Sequence, residues 1–134
     1  MTDPVPQVQM TDPVPQVQQI LAQMRATMGE APPAIEKAAH ADPPMVVEQA
    51  RSSAFAMPPE GGALDPETRT LVYLAVALAT SNQACTIAML NKARKQAITS
   101  PKLLEAFHIA RFALATQVVG NAEPVFDFIN ERDA

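Results

Sequence analysis

The chain contains no tryptophan, one tyrosine and five phenylalanines, so aromatic residues make up only 4% of its 134 positions. That leaves little material for platforms on which nucleic-acid bases stack. Charge is sparse too. Only 18% of residues are charged, the formal net charge is −4, and no basic cluster interrupts this balance. Nucleic acid is therefore not expected as a partner. Of the four glycines, Gly61 and Gly62 are adjacent, and alone they read as a turn, not a phosphate-cradling loop. The longest apolar run, Leu71 to Ala79, covers nine residues, far short of a membrane span. No charged segment followed by an apolar stretch marks a signal peptide near the N-terminus. A single cysteine, Cys85, cannot close an intrachain disulfide. Two distant histidines, His40 and His108, give no metal-ligand spacing. Together these absences predict a cytoplasmic protein with no metal, no cofactor and no membrane partner.

What the chain does have is apolar surface and alanine. Hydrophobic residues are 48% of the total, and 24 positions are alanine. At this length a single domain with one modest core is expected. Many alanines allow close helix approach, and few charges leave an apolar exterior that self-association would cover. The segment MTDPVPQVQ occurs at 1–9 and again, unchanged, at 10–18. A perfect nine-residue copy is too short for a structural repeat. It reads as a duplication or an ambiguous start, with residues 1–18 a Pro-rich tail and 19–134 the folded domain.

Eleven of the 13 prolines lie at or before Pro66. The first half is therefore expected to hold short helices between Pro-Pro stops, and the second half long ones. Val17, Ile20, Leu21, Met24 and Met28 follow a helical spacing over 14–28, closed by Gly29. Further helices are expected at about 33–40 and 44–57. Asp65, Pro66 and Glu67 form the clearest helix start, with Asp65 as N-cap and Pro66 at the first helical position. The helix they open is apolar on all sides and is expected to be the buried centre. Three more are expected at about 82–97, 100–118 and 122–131, with Gly120-Asn121 breaking the last two apart. The sum is an all-α bundle of about seven helices.

Chemistry then turns on Cys85, in the stretch SNQACTIAMLNKARKQ. On the expected helix it lies near the start, with Ala84, Ala88 and Met89 on the inner face. It is either a working thiol or a small apolar residue packed beside Met89. Arg69, His108 and Arg111 are further polar residues on the expected helices. His108 and Arg111 are three apart on one helix and so share a face. The plainer reading of Arg111 is a charge paired at a subunit surface, and that of His108 a half-buried group bonded to backbone.

The stretch LDPETRTLVYLAVALATSNQACTIAMLNKARKQAITSPKLLEAFHIARFALAT, with MGEAPPAIEKAAHADPPMVVEQARSSA ahead of it, resembles the carboxymuconolactone decarboxylase and alkylhydroperoxidase D family. The likeness covers about residues 17–130. It implies an alkylhydroperoxidase D-like helical bundle and a homo-oligomer, commonly a trimer or hexamer. In that family a helix opening L-x-P-x-x-R-E-L leads into a second helix. In the thiol-dependent branch, the second helix carries Cys-x-x-Cys and, one turn on, a His. By layout, Cys85 falls on the second cysteine, Asn82 on the first, Met89 on the His and Thr70 on the upstream Glu. Peroxide reduction needs a thiolate to attack the O–O bond and a second thiol to resolve the sulfenic acid. Neither Asn82 nor Met89 can fill those roles. The resemblance thus implies a divergent member that lacks the paired-cysteine peroxidase site and acts by binding a small molecule or by assembly. The alternatives it leaves are one-thiol chemistry at Cys85, or a decarboxylase-like reaction on a small lactone acid, for which the resemblance implies Arg69, His108 and Arg111 as the polar candidates, since an anionic substrate favours arginine.

Overall fold

The computed structural model describes residues 13–134, which form seven helices and, among the described residues, no strand. The first copy of the duplicated segment lies outside the described residues. Most of the second copy does not, because helix α1 (Val14–Met28) begins inside it. Val17, from that copy, is 2% exposed. It joins Leu21, Ala31 and Val46 in a small core that ties α1 to α3. Gly29 ends α1 at φ 84°, and its N–H bonds the Arg25 carbonyl at 2.9 Å. That left-handed conformation is why a glycine stands there.

Two proline-opened helices follow, α2 (Pro33–Ala41) and α3 (Pro43–Ala56). Each proline sits where its missing N–H has no intrahelical partner to lose. Asp42 caps α3 by accepting from the Met45 N–H at 3.4 Å. His40, at the end of α2, is exposed.

The second half is the scaffold of the site. Helix α4 (Pro66–Ala79) starts as its sequence requires: Asp65 Oδ1 accepts the Thr68 N–H at 2.8 Å, and the Thr68 hydroxyl donates to Oδ2 at 2.9 Å. These bonds hold the Asp65 carboxyl below its usual range. Helix α5 (Gln83–Lys95) returns antiparallel to α4. Helix α6 (Ser100–Asn121) then runs parallel to α4, with Lys102 Nζ 2.9 Å from Glu67 Oε1 where the two helices begin. A short α7 (Glu123–Arg132) packs on α6.

Two expectations need correction. Helix α4 is not buried on all sides. Thr70, Leu74 and Ala77 are buried, one stripe at 4-3 spacing, while Val72 and Val76 are 50% and 56% exposed. The physical reason is that α4 packs mainly on α5 and α6, so its remaining face is open. Gly120 does not break α6 either. The helix runs through it to Asn121 and turns at Ala122. A glycine with an ordinary helical φ only weakens a helix, by about 1 kcal/mol against alanine.

Candidate functional site

The site is set by the turn between α4 and α5. Ser81 takes φ 57°; its N–H reaches the Leu78 carbonyl at 3.3 Å, and the Asn82 N–H reaches the Ala77 carbonyl at 2.9 Å. This is a Schellman ending, in which one left-handed residue lets two N–H groups satisfy the last carbonyls. Three residues, Thr80 to Asn82, make the reversal, and only Ser81 among them is left-handed. Asn82 therefore both ends the α4 motif and caps α5: its Oδ1 accepts the Cys85 N–H at 3.0 Å. Asn82 thus fixes where Cys85 stands, in the first turn of α5.

Cys85 is a free thiol of intermediate exposure. Its Sγ accepts a hydrogen bond from the Tyr73 O–H at 3.3 Å. That bond, with partial burial and the nearby Cys85 charge, raises the pKa of the Tyr73 phenol. The chain's single tyrosine thus meets its single cysteine. No pattern in the sequence flagged Tyr73, because the contact joins two helices and depends on how they register.

Thr70 and Met89 are both buried. Thr70 is fully buried; its hydroxyl lies 2.7 Å from Gln96 Oε1 and 3.1 Å from the Pro66 carbonyl. It pins the start of α4 to the end of α5. Met89 is 8% exposed. Beside Thr70, Arg69 donates from Nη1 to the Pro58 carbonyl and lies against Gly62, where a Cβ would come within 3.0 Å of it. Across the groove stands Lys92, whose pKa is pushed down by burial and by the Arg69 charge.

The three polar candidates do not gather. Arg111 lines an open recess of about 240 Å³ with Leu78, Phe107, Ala110 and Leu114. His108 is exposed and its ring packs at 5.6 Å from that of Phe107, outside the recess wall. Arg69 precedes Leu78 by nine residues on α4, roughly 13 Å along the axis. One small ligand in one protomer does not reach all three. A second recess, about 310 Å³, lies between the 30–33 segment and the flank of α5 formed by Gln83, Ala84, Ile87, Ala88 and Asn91. Cys85 is not in its wall. Among the described residues, no group of three His, Cys, Asp or Glu side chains is placed to hold a metal ion. Nor is any helix there long and apolar enough to cross a membrane.

The profile of the carboxymuconolactone decarboxylase family matches residues 46–127, more than half of the chain. The chain belongs to the carboxymuconolactone decarboxylase family. The match begins at Val46 in α3 and ends at Asp127 in α7, so it contains the whole α4–α5–α6 unit. Family membership and the all-helical fold expected from the sequence agree with these findings. The match starts later than the resemblance read from the sequence, leaving α1 and α2 outside it. No match was found among curated proteins.

Proposed function

We propose that this chain is a divergent, non-redox member of its family that works as a homo-oligomeric small-molecule-binding protein. The observation that carries the reading is the composition of the α4–α5 groove. Cys85 is the only thiol in the chain, Asn82 serves as a helix cap, and Met89 and Thr70 are buried packing groups. A peroxidase cycle that resolves within the protomer needs a second thiol within reach of the first. A lone thiol is stable in a reduced compartment, in keeping with a cytoplasmic setting.

Assembly is supported by what the protomer leaves uncovered. From Arg111 to Asn121 every residue of α6 is exposed, and α7 has no buried residue. Phe112, Val118, Val119 and Phe128 are each more than 60% exposed. Apolar surface of that extent marks an interaction face. At about 25 cal/mol per Å², covering it with sister protomers is a strong driving force. A closed ring, trimer or hexamer, would bury the face on every copy.

A second reading has one observation in its favour. The Tyr73 O–H donated to Cys85 Sγ would stabilise a thiolate and stand ready to protonate a leaving oxygen. One-thiol peroxide reduction would then convert the thiol and a hydroperoxide to a sulfenic acid and an alcohol. Two external thiols would restore the enzyme, releasing water and their own disulfide. The decarboxylase-like alternative draws less support, because Arg69, His108 and Arg111 stand apart.

The deciding experiment is intact mass of the native protein after a short hydrogen peroxide pulse with dimedone present, using Cys85→Ser as control. The expected result is methionine oxidation with no dimedone adduct. An adduct on the native chain that is absent from Cys85→Ser would overturn the non-redox reading in favour of the one-thiol one.

A further inference from the structure

We propose that α7 of one protomer docks in the α4–α6 recess of the next, with Phe128 seated in the recess and Glu131 paired with Arg111. The inference rests on the homo-oligomeric reading above and names the contact that builds the assembly.

The recess sets the terms. Leu78 of α4 and Phe107, Ala110, Arg111 and Leu114 of α6 line about 240 Å³. Small-molecule pockets run from about 300 to 1,000 Å³, so this one suits a side chain better than a ligand. Its four α6 residues stand at i, i+3, i+4 and i+7, the stripe by which a helix buries one face against a neighbour. Only Ala110 of the four is buried, so the stripe is largely uncovered in the protomer. Arg111 is the one charge in the wall. Among the described residues the ion pairs are Arg25–Glu36, Arg51–Glu48 and Lys102–Glu67, and Arg111 takes part in none. An apolar recess bearing a lone arginine fits an apolar side chain with an acid beside it.

Helix α7 carries that pair. Every residue of α7 is exposed. Val125, Phe126, Phe128 and Ile129 gather on one side of it, while Glu123, Asp127 and Glu131, spaced by four, line the other. Glu131 follows Phe128 by three residues and so borders the apolar side next to it. Elsewhere in the chain no aromatic residue has an acid three or four positions away. Phe126 has Glu123 at that distance, but Phe128 is the more exposed, at 63% against 48%.

The donor is a second copy. No α7 residue lines the recess of its own protomer, although α7 starts just past the end of α6. The contact joins two unlike surfaces, so repeating it around an axis closes a ring in which each copy gives one α7 and receives one.

The test is made on the full chain in two ways. In a Cys85→Ser background, Leu114→Cys combined with Phe128→Cys is oxidised mildly and run on a non-reducing gel. Bands at multiples of 14.4 kDa, absent from either cysteine variant alone, are the expected result. A disulfide closed within one chain, or none at all, would overturn the docking. Sedimentation equilibrium then reads the charge pair without touching the recess lining beyond Arg111. Arg111→Glu and Glu131→Arg should each weaken association roughly tenfold or more, and the two together should recover most of it. Two weakened single variants with no recovery in the double would overturn the Glu131–Arg111 pairing. An intact oligomer with no cross-link and no charge effect sinks this contact and leaves the homo-oligomeric reading standing. A native chain that sediments as one protomer sinks both.

Discussion

The Tyr73 hydroxyl lies 3.3 Å from the sulfur of Cys85, across a hairpin that brings together residues 12 apart in sequence. The contact has a pH signature. Tyr73 has a pKa raised above its ordinary 10.0, chiefly by this hydrogen bond. A raised folded-state pKa means stability that is complete below about pH 10 and lost as pH rises through the folded value. Tyr73→Phe is expected to cost about 0.5 kcal/mol at neutral pH, the low end for a hydrogen bond because the ring is partly exposed. Urea unfolding of both proteins at pH 7.5, 9 and 11 checks this. The gap should hold to pH 9 and narrow at pH 11; a gap independent of pH would mean the phenol's bond contributes nothing.

Thr70 is fully buried, and its hydroxyl lies 2.7 Å from Gln96 Oε1. Thr70→Val strands the Gln96 side chain against a methyl group and should cost about 1–2 kcal/mol. Thr70→Glu should cost more. It forces a longer, ionisable group into a position with no exposed surface. Denaturant midpoints of the two variants rank them. If Thr70→Glu proves the milder change, the position retains room for an acid and Thr70 is not a tightly packed group.

Ala97 ends α5 at φ 54°, in the same kind of turn that Ser81 makes after α4. The Ile98 N–H bonds the Ala93 carbonyl at 3.0 Å, and both residues are buried. The left-handed conformation strains any side chain with a Cβ. Ala97→Gly should therefore stabilise the chain by about 0.5–1 kcal/mol, the relief outweighing the added freedom of the unfolded chain. Thermal unfolding reads the sign directly.

The uncovered arm of α6 and α7 makes the oligomer testable by charge. Phe112 is 73% and Val119 is 61% exposed in the protomer. If sister copies cover them, Phe112→Asp with Val119→Asp should shift the sedimentation equilibrium mass toward one 14.4 kDa chain. A desolvated carboxylate on each side of an interface is costly. In an isolated protomer the same changes should leave mass and stability nearly untouched. An unchanged oligomer would mean the arm is not the interface.

Local chemistry in the sequence determined the helices. Proline-opened starts, the Asp65 cap, the Gly29 stop and the 3-4 spacing of α1 act within a turn or two of chain, so they are legible without any partner. The family was legible as well, because L-D-P-E-T-R and the position of Cys85 lie within one contiguous hairpin. Gly120 misled for the same local reason: a helix-weakening residue looks like an end until the flanking turns are seen to hold. What the sequence left open was everything that depends on register between helices. Only the packed hairpin put Tyr73 on Cys85, Thr70 on Gln96, and Arg69 opposite Lys92. Only it separated Arg69 from Arg111 by most of a helix length. A hydrophobic pattern records that α4 must bury something, not which face meets which neighbour. The short Ser81-Asn82 reversal decided that, by fixing the phase with which α5 returns along α4.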